Sequence, residues 1–170
     1  MTSPDASTDT IVRPALPADL PAVGRLGALL VGTHHELDPR RFLSATPRTA
    51  ASYASYLGGQ LEDPAFAVLV AEERGEVVGY TYAAVEGTDY LTLRGPAGVL
   101  HDIVVDPRAR GRGLGRLLLE ATLAFLKSRG APRVVLWTAE GNVAAQRLFA
   151  NAGFRRTMLE MTRELDDGAP

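Results

Sequence analysis

The run Arg110-Gly111-Arg112-Gly113-Leu114-Gly115 constrains the fold more than any other stretch of this chain. It stands between the apolar stretch Val99-Leu100-His101-Asp102-Ile103-Val104-Val105 and the leucines Leu117-Leu118-Leu119, so it reads as strand, tight turn and helix. Glycine at such a turn lets the backbone take positive φ and approach a ligand closely. The first turn of the helix leaves N–H groups without partners, and their partial positive charge favours an anion. The turn is therefore either a cradle for a phosphate or pyrophosphate or a plain strand–helix connection.

The chain has 170 residues, 46% of them hydrophobic and 22% charged, which fits one soluble globular domain with a sizeable core. The formal net charge of −2 gives no reason to expect nucleic acid or a membrane surface as partner. Locally the balance differs. Between His101 and Arg133 stand seven basic residues (Arg108, Arg110, Arg112, Arg116, Lys127, Arg129, Arg133) against three acidic ones (Asp102, Asp106, Glu120), which makes this window +4. Its arginines fit either a solvated helix face or an anion site beside the turn. The absence of cysteine excludes disulfides, zinc–thiolate sites and cysteine nucleophiles, and agrees with a cytoplasmic setting. No metal site is expected. No apolar run approaches the ~18 residues that span a bilayer. Residues 1–9 are polar, lack the features of a secretory leader and are expected to form a disordered tail ahead of a single domain over 10–165.

Periodicity organises the rest. Thr10 to Arg13 reads as a first strand, and Asp19 as the N-cap of a helix with the stripe Leu20, Val23, Leu26 and Leu30. His34 to Pro47 reads as irregular, and a second helix is expected over about 48–61. Phe66–Ala71 and Val77–Ala83 form a hairpin about Arg74-Gly75. Val99–Val105 is the next strand, ended by Asp106-Pro107. After the turn, Leu114, Leu117, Leu118, Ala121, Phe125 and Leu126 lie at helical spacing up to Gly130. Arg133–Trp137 reads as a short buried strand, Asn142–Ala152 as a helix and Phe154–Leu165 as a final strand. The order βααβββαβαβ predicts an α/β fold, with a mixed sheet flanked by helices on both faces.

Two familiar phosphate loops do not fit the turn. Gly115 is followed by Arg116 and Leu117 rather than by Lys and Ser or Thr, and the third glycine of a dinucleotide fingerprint is missing. Arg110-x-x-Gly113-x-Gly115 after Val105-Asp106-Pro107 instead resembles the acyl-CoA motif of the GNAT N-acetyltransferase superfamily. Asn142-x-x-Ala145-x-x-Leu148-Phe149-x-x-x-Gly153-Phe154 is similar to the helix and strand that follow in that superfamily. The resemblance covers roughly residues 10–165.

The resemblance implies a GNAT-like fold in which two splayed parallel strands, 99–105 and 133–137, form the acyl-CoA cleft. It implies that Arg110, Gly111, Arg112, Gly113, Leu114, Gly115 and Arg116 hold the CoA pyrophosphate, and that the main chain of Ile103, Val104 and Val105 pairs with the pantetheine arm. Asn142 fits two roles, cofactor contact and helix N-cap. The implied activity is transfer of an acetyl group from acetyl-CoA to a primary amine of a small molecule or protein. Such an amine is protonated at neutral pH and needs a base. His101 and Asp102 occupy the expected place. Strict alternation sends them to opposite faces, and histidine titrates nearer neutrality. Phe149 stands where many of these enzymes carry a tyrosine acid, leaving Tyr80, Tyr82, Tyr90 or water to replace it. It also supports an alternative, a non-catalytic acyl-CoA-binding domain. A homodimer is a further expectation of the resemblance.

Overall fold

In the computed structural model, which describes residues 10–165, a five-stranded sheet separates two pairs of helices. The strands are β1 (Thr10–Pro14), β2 (Phe66–Glu73), β3 (Glu76–Glu86), β4 (Ala97–Val105) and β5 (Val134–Leu136). They lie in sequence order, antiparallel except for the parallel pair β4–β5. The parallel pair needs a crossover, supplied by α3 (Leu114–Ser128). The remaining helices are α1 (Leu20–Leu37), α2 (Thr49–Gly58) and α4 (Val143–Asn151). The hairpin between β2 and β3 turns at Arg74-Gly75, both at positive φ. The mixed sheet with helices on both faces is as the sequence predicts.

Each sheet face buries its own cluster. Val23, Leu26 and Leu57 of α1 and α2 pack on Val68, Val70, Tyr80 and Tyr82. On the other face Leu119 and Leu126 of α3 and Phe149 of α4 pack on Ala83 and Leu100. The buried hydroxyls of Thr81 and Thr122 satisfy each other at 2.8 Å between β3 and α3.

Four expectations need correction. Asp19 does not cap α1. Its carboxylate accepts from the Arg13 guanidinium at 2.6 Å and from the Leu16 N–H at 2.7 Å, which draws its pKa down and ties β1 to the start of α1. The helix also continues through His34 to Leu37, because the break comes at Asp38, extended as a residue before proline must be. The strand expected at 133–137 shrinks to three half-buried residues, and Trp137 is 56% exposed. Finally, Phe154–Leu165 forms no strand. Phe154 packs against Phe149, but every residue from Arg155 to Leu165 is exposed, tethered by Arg156 to Gln146 and by Glu160 to Arg41. The apolar residues of this segment do not alternate, and a ladder also needs a partner backbone, of which the three residues of β5 offer little. The expected tail over 1–9 lies outside the described residues.

The α1–α2 contact depends on two glycines. A Cβ on Gly24 would run into the Ala50 carbonyl, and one on Gly27 into the Tyr53 ring. Replacing Gly27 by alanine removes a helix-weakening residue but overpacks this seam, at a cost of about 1–3 kcal/mol. We expect Gly27→Ala to lower the melting temperature in calorimetry. An unchanged value would mean that Tyr53 swings aside freely.

Candidate active site

The site grows from the way β4 leaves its neighbour. β5 pairs with β4 only at Gly98, Val99 and Leu100, whereas β4 runs on to Val105 beside β3. Beyond Leu100 the β5-facing edge of β4 is therefore open, and a cleft of about 360 Å³ lies there. Leu100, His101, Asp102 and Ile103 line it from β4, Leu136 and Trp137 from β5, and Asn142, Ala145 and Phe149 from α4 and its cap. Leu30 and His34 of α1, Tyr53 of α2, and Phe42 close the other side.

His101 and Asp102 both face this cleft. The register between β3 and β4 slips here: Tyr82 pairs with Asp102 and Ala83 with Leu100, leaving His101 as the extra residue of a bulge. The expectation that alternation separates the two side chains is thus overturned. His101 lies on Tyr82, ring centroids 4.9 Å apart and 24° from parallel, and its Nε2 is 2.9 Å from Glu86 Oε1. Asp102 accepts the Tyr80 hydroxyl at Oδ2, 2.9 Å away. Burial pushes the Asp102 carboxyl above its ordinary range, and the Tyr80 hydrogen bond opposes this only in part.

The glycine turn closes the far end of β4. Gly111 and Gly113 sit at φ +78° and +81°, so their lack of a side chain meets a backbone demand; a Cβ on Gly115 would make only ordinary contact with Leu148 and Val105. Among the described residues no acceptor meets the N–H groups of residues 111–116, which gather at the start of α3. These free donors suit a pyrophosphate. The arginines brace the turn from behind. Arg110 Nε donates to the Val105 carbonyl at 3.1 Å. Arg112 pairs with buried Glu73 at 2.8 Å and donates to the Arg108 carbonyl. Arg116 pairs with Glu120 along the helix at 2.6 Å. Asp106 at the end of β4 takes the Arg108 N–H and pairs with Arg25 and Arg108 at 3.0 Å, which holds its carboxyl well below the usual range.

Val104 points into the α1 cluster, while Ile103 packs against the α3 cluster. Asn142 does cap α4, accepting the Ala145 N–H at 3.2 Å, and also lines the cleft. Phe149 reaches the cleft with no hydroxyl to offer. Of its proposed substitutes, Tyr80 is committed to Asp102, the Tyr82 hydroxyl lies 3.2 Å from that of Tyr56, and Tyr90 is 83% exposed.

Sequence reasoning left Tyr53 out of the site and read His34 as a loop histidine within reach of an acceptor, whereas it stands in α1 and lines the cleft. Burial pushes the Tyr53 phenol up to about 12. His34 follows Val23, Leu26 and Leu30 on the inner face of α1, where a polar residue at core spacing is itself a signal. Its Nδ1 lies 2.9 Å from the Leu30 carbonyl, which can only accept, so Nδ1 carries the proton and Nε2 keeps its lone pair.

Comparison with known proteins agrees with this geometry. Residues 32–154 match the model of the acetyltransferase (GNAT) family. A mycothiol acetyltransferase of Thermobispora bispora is 42% identical over 103 residues, 58% of this chain and 33% of that protein. One of Amycolatopsis mediterranei is 39% identical over 88 residues, 51% of this chain and 29% of that protein. The chain thus spans about a third of the length of these relatives. A tetramutant of the BH1408 protein from Bacillus halodurans superposes with a TM-score of 0.78 at 25% identity, over 91% of this chain and 99% of that one. An aminoglycoside N-acetyltransferase in complex with CoA shares the fold at a TM-score of 0.71 and 19% identity, over 97% of this chain and 100% of that one. With the family model covering most of its length, the chain belongs to the GNAT acetyltransferase family.

Proposed function

We propose that residues 10–165 form one acetyltransferase domain that transfers the acetyl group of acetyl-CoA to a primary amine in a ternary complex. One observation carries this reading: the bulge at His101 sets a histidine and a half-buried carboxylate on the same cleft wall, at the open edge of the strand that ends before the free N–H groups of residues 111–116. Those donors and the open edge fit CoA, with residues 111–116 taking the pyrophosphate and Ile103 to Val105 the pantetheine arm. Bound acetyl-CoA would supply the thioester: its acetyl carbon bonds to the amine nitrogen, the C–S bond breaks, the thiolate leaves, and the second proton of the attacking nitrogen passes to the thiolate or to water.

The chain's own residues prepare the amine. Asp102 has one oxygen committed to Tyr80, and its other draws the ammonium into the cleft. His101 takes the ammonium proton, which frees the nitrogen lone pair. Phe149 and Leu136 wall the site and donate nothing. A thiol near pKa 8.5 leaves as thiolate without a dedicated acid, at a cost in rate. The relatives named mycothiol acetyltransferase support an amine acceptor of small-molecule size.

We also propose a cytoplasmic homodimer joined through 154–165. That segment exposes Met158, Leu159, Met161 and Leu165, and β5 is the last strand of the sheet. Light scattering is expected to give twice the chain mass, and Leu159→Lys with Met161→Lys to give a monomer. A monomeric wild-type chain would refute the dimer.

A panel of primary amines with acetyl-CoA is expected to release free thiol. His101→Ala should lower kcat by about 10²–10⁴-fold with CoA binding intact. Tight CoA binding without thiol release from any amine would instead make the chain a non-catalytic acyl-CoA-binding domain.

The raised Asp102 carboxyl has a second consequence. The native state holds this proton more tightly than the unfolded chain, so its contribution to stability is complete below the ordinary value of 3.8 and is lost as pH rises through the native value. Melting temperatures of the wild type should therefore fall relative to Asp102→Asn as pH climbs through that window. Parallel pH profiles would contradict a buried, hard-to-ionise Asp102.

A further inference from the structure

We infer that Glu86 is a positioning residue for acetyl transfer: it holds His101 as the tautomer protonated at Nε2, so that Nδ1 is the atom that receives the ammonium proton. This rests on the reading of His101 as proton acceptor.

The geometry selects one tautomer. Glu86 Oε1 lies 2.9 Å from His101 Nε2, and the second oxygen, Oε2, accepts from Arg94 at 2.9 Å. A carboxylate already paired with a guanidinium is an acceptor, so the hydrogen on this contact belongs to the imidazole. Neutral histidine carries one ring hydrogen, and placing it at Nε2 leaves the lone pair at Nδ1.

The ring is also fixed against rotation. It stacks on Tyr82, which stacks in turn on Phe66 with ring centroids 5.9 Å apart and 12° from parallel. The His101 side chain is 33% exposed, so packing alone does not enclose it, and the Glu86 contact determines which edge faces the cleft. The bulge puts the ring on the Tyr82 side of the sheet, from which it reaches Glu86 at the end of β3.

Arg94 shows how firmly Glu86 is placed. Its side chain is only 10% exposed, and its Nε is buried without a hydrogen-bond partner, a cost the fold bears to set the guanidinium against Glu86. The loop that carries it is clasped by reciprocal 2.8 Å backbone hydrogen bonds between Asp89 and Arg94. Arg94 thus orients Glu86, and Glu86 orients His101.

The chemistry gains in two ways. The proton moves from the substrate nitrogen to Nδ1 without any loss of the Nε2–H bond. The imidazolium that forms then faces the Glu86 carboxylate across the 2.9 Å contact at Nε2, an attraction of opposite charges that the neutral ring lacks. A carboxylate behind the histidine of a hydrolase triad works on the same logic.

Nitrogen-15 spectra of the His101 ring, compared with His101→Ala for assignment, test the tautomer without any turnover. The wild type is expected to show the Nε2–H form, Glu86→Gln to retain it through the amide oxygen, and Glu86→Ala to give a mixture. A wild-type ring protonated at Nδ1 overturns the inference. In turnover, Glu86→Ala should lose about 10- to 100-fold in kcat, the range seen when a carboxylate behind a functional histidine is removed, with KM for acetyl-CoA unchanged. Glu86→Gln should recover part of that loss. A full-rate Glu86→Ala enzyme beside a crippled His101→Ala enzyme overturns the role of Glu86 alone. A full-rate His101→Ala enzyme overturns the reading beneath it as well.

Discussion

Parallel pairing between β4 and β5 lasts for three residues, and the arrangement of the site depends on where it stops. While the strands are paired, they share their backbone groups; beyond Leu100, β4 has a free edge and nothing to cover it. The crossover helix that a parallel pair requires starts at the end of that same strand. The open edge of β4 and the free N–H groups of 111–116 just past its end are thus placed by topology before any side chain is chosen. Buried acids keep the turn in shape. Glu73 and Asp106 hold Arg112 and Arg108 behind the turn, so the guanidinium groups stiffen the loop and its mouth is left to backbone donors.

The bulge at His101 is the second device. In a regular strand, adjacent side chains point to opposite faces. One extra residue breaks that rule locally, and His101 joins Asp102 over Tyr80 and Tyr82. Two groups of different character then share one wall: an imidazole about one-third exposed, and a carboxyl whose pKa burial raises. On the proposed reading this difference divides the labour, with Asp102 drawing in the cation and His101 taking its proton.

Much of this was legible in the sequence because it is local. The glycine turn, the Asn142 cap and the faces of α3 each follow from spacing within one or two turns of chain. What was illegible depends on partners far away in sequence. Asp19 carries the signature of a cap, but Arg13, reached through the β1 bend, outcompetes the helix for its oxygens. Residues 154–165 stand where a final strand is expected, but find no backbone to pair with. The bulge leaves no mark in Leu100-His101-Asp102, since it is a slip between two strands and belongs to neither sequence alone. His34 and Tyr53 reach the cleft only because α1 and α2 cross at Gly24 and Gly27, whose missing side chains read as weak helix positions until the partner helix is in place.

Phe149 raises the question of how the departing thiolate acquires a proton. A hydroxyl can deliver one only if it is not already spent. Tyr80 donates to Asp102, and Tyr82 and Tyr56 share a hydrogen bond with each other. Tyr53 is different: it lines the cleft, and among the described residues its hydroxyl has no hydrogen-bond partner. Burial, reinforced by the nearby Asp102 charge, holds its proton up to about 12, so at neutral pH it is a neutral donor and a poor acid. A thiolate leaving near its own pKa of about 8.5 draws little benefit from so weak an acid, and open water at the cleft mouth serves it as well. The demanding proton transfer in this cleft is therefore the removal from the incoming ammonium, and the buried and stacked polar groups are gathered on the side where that occurs.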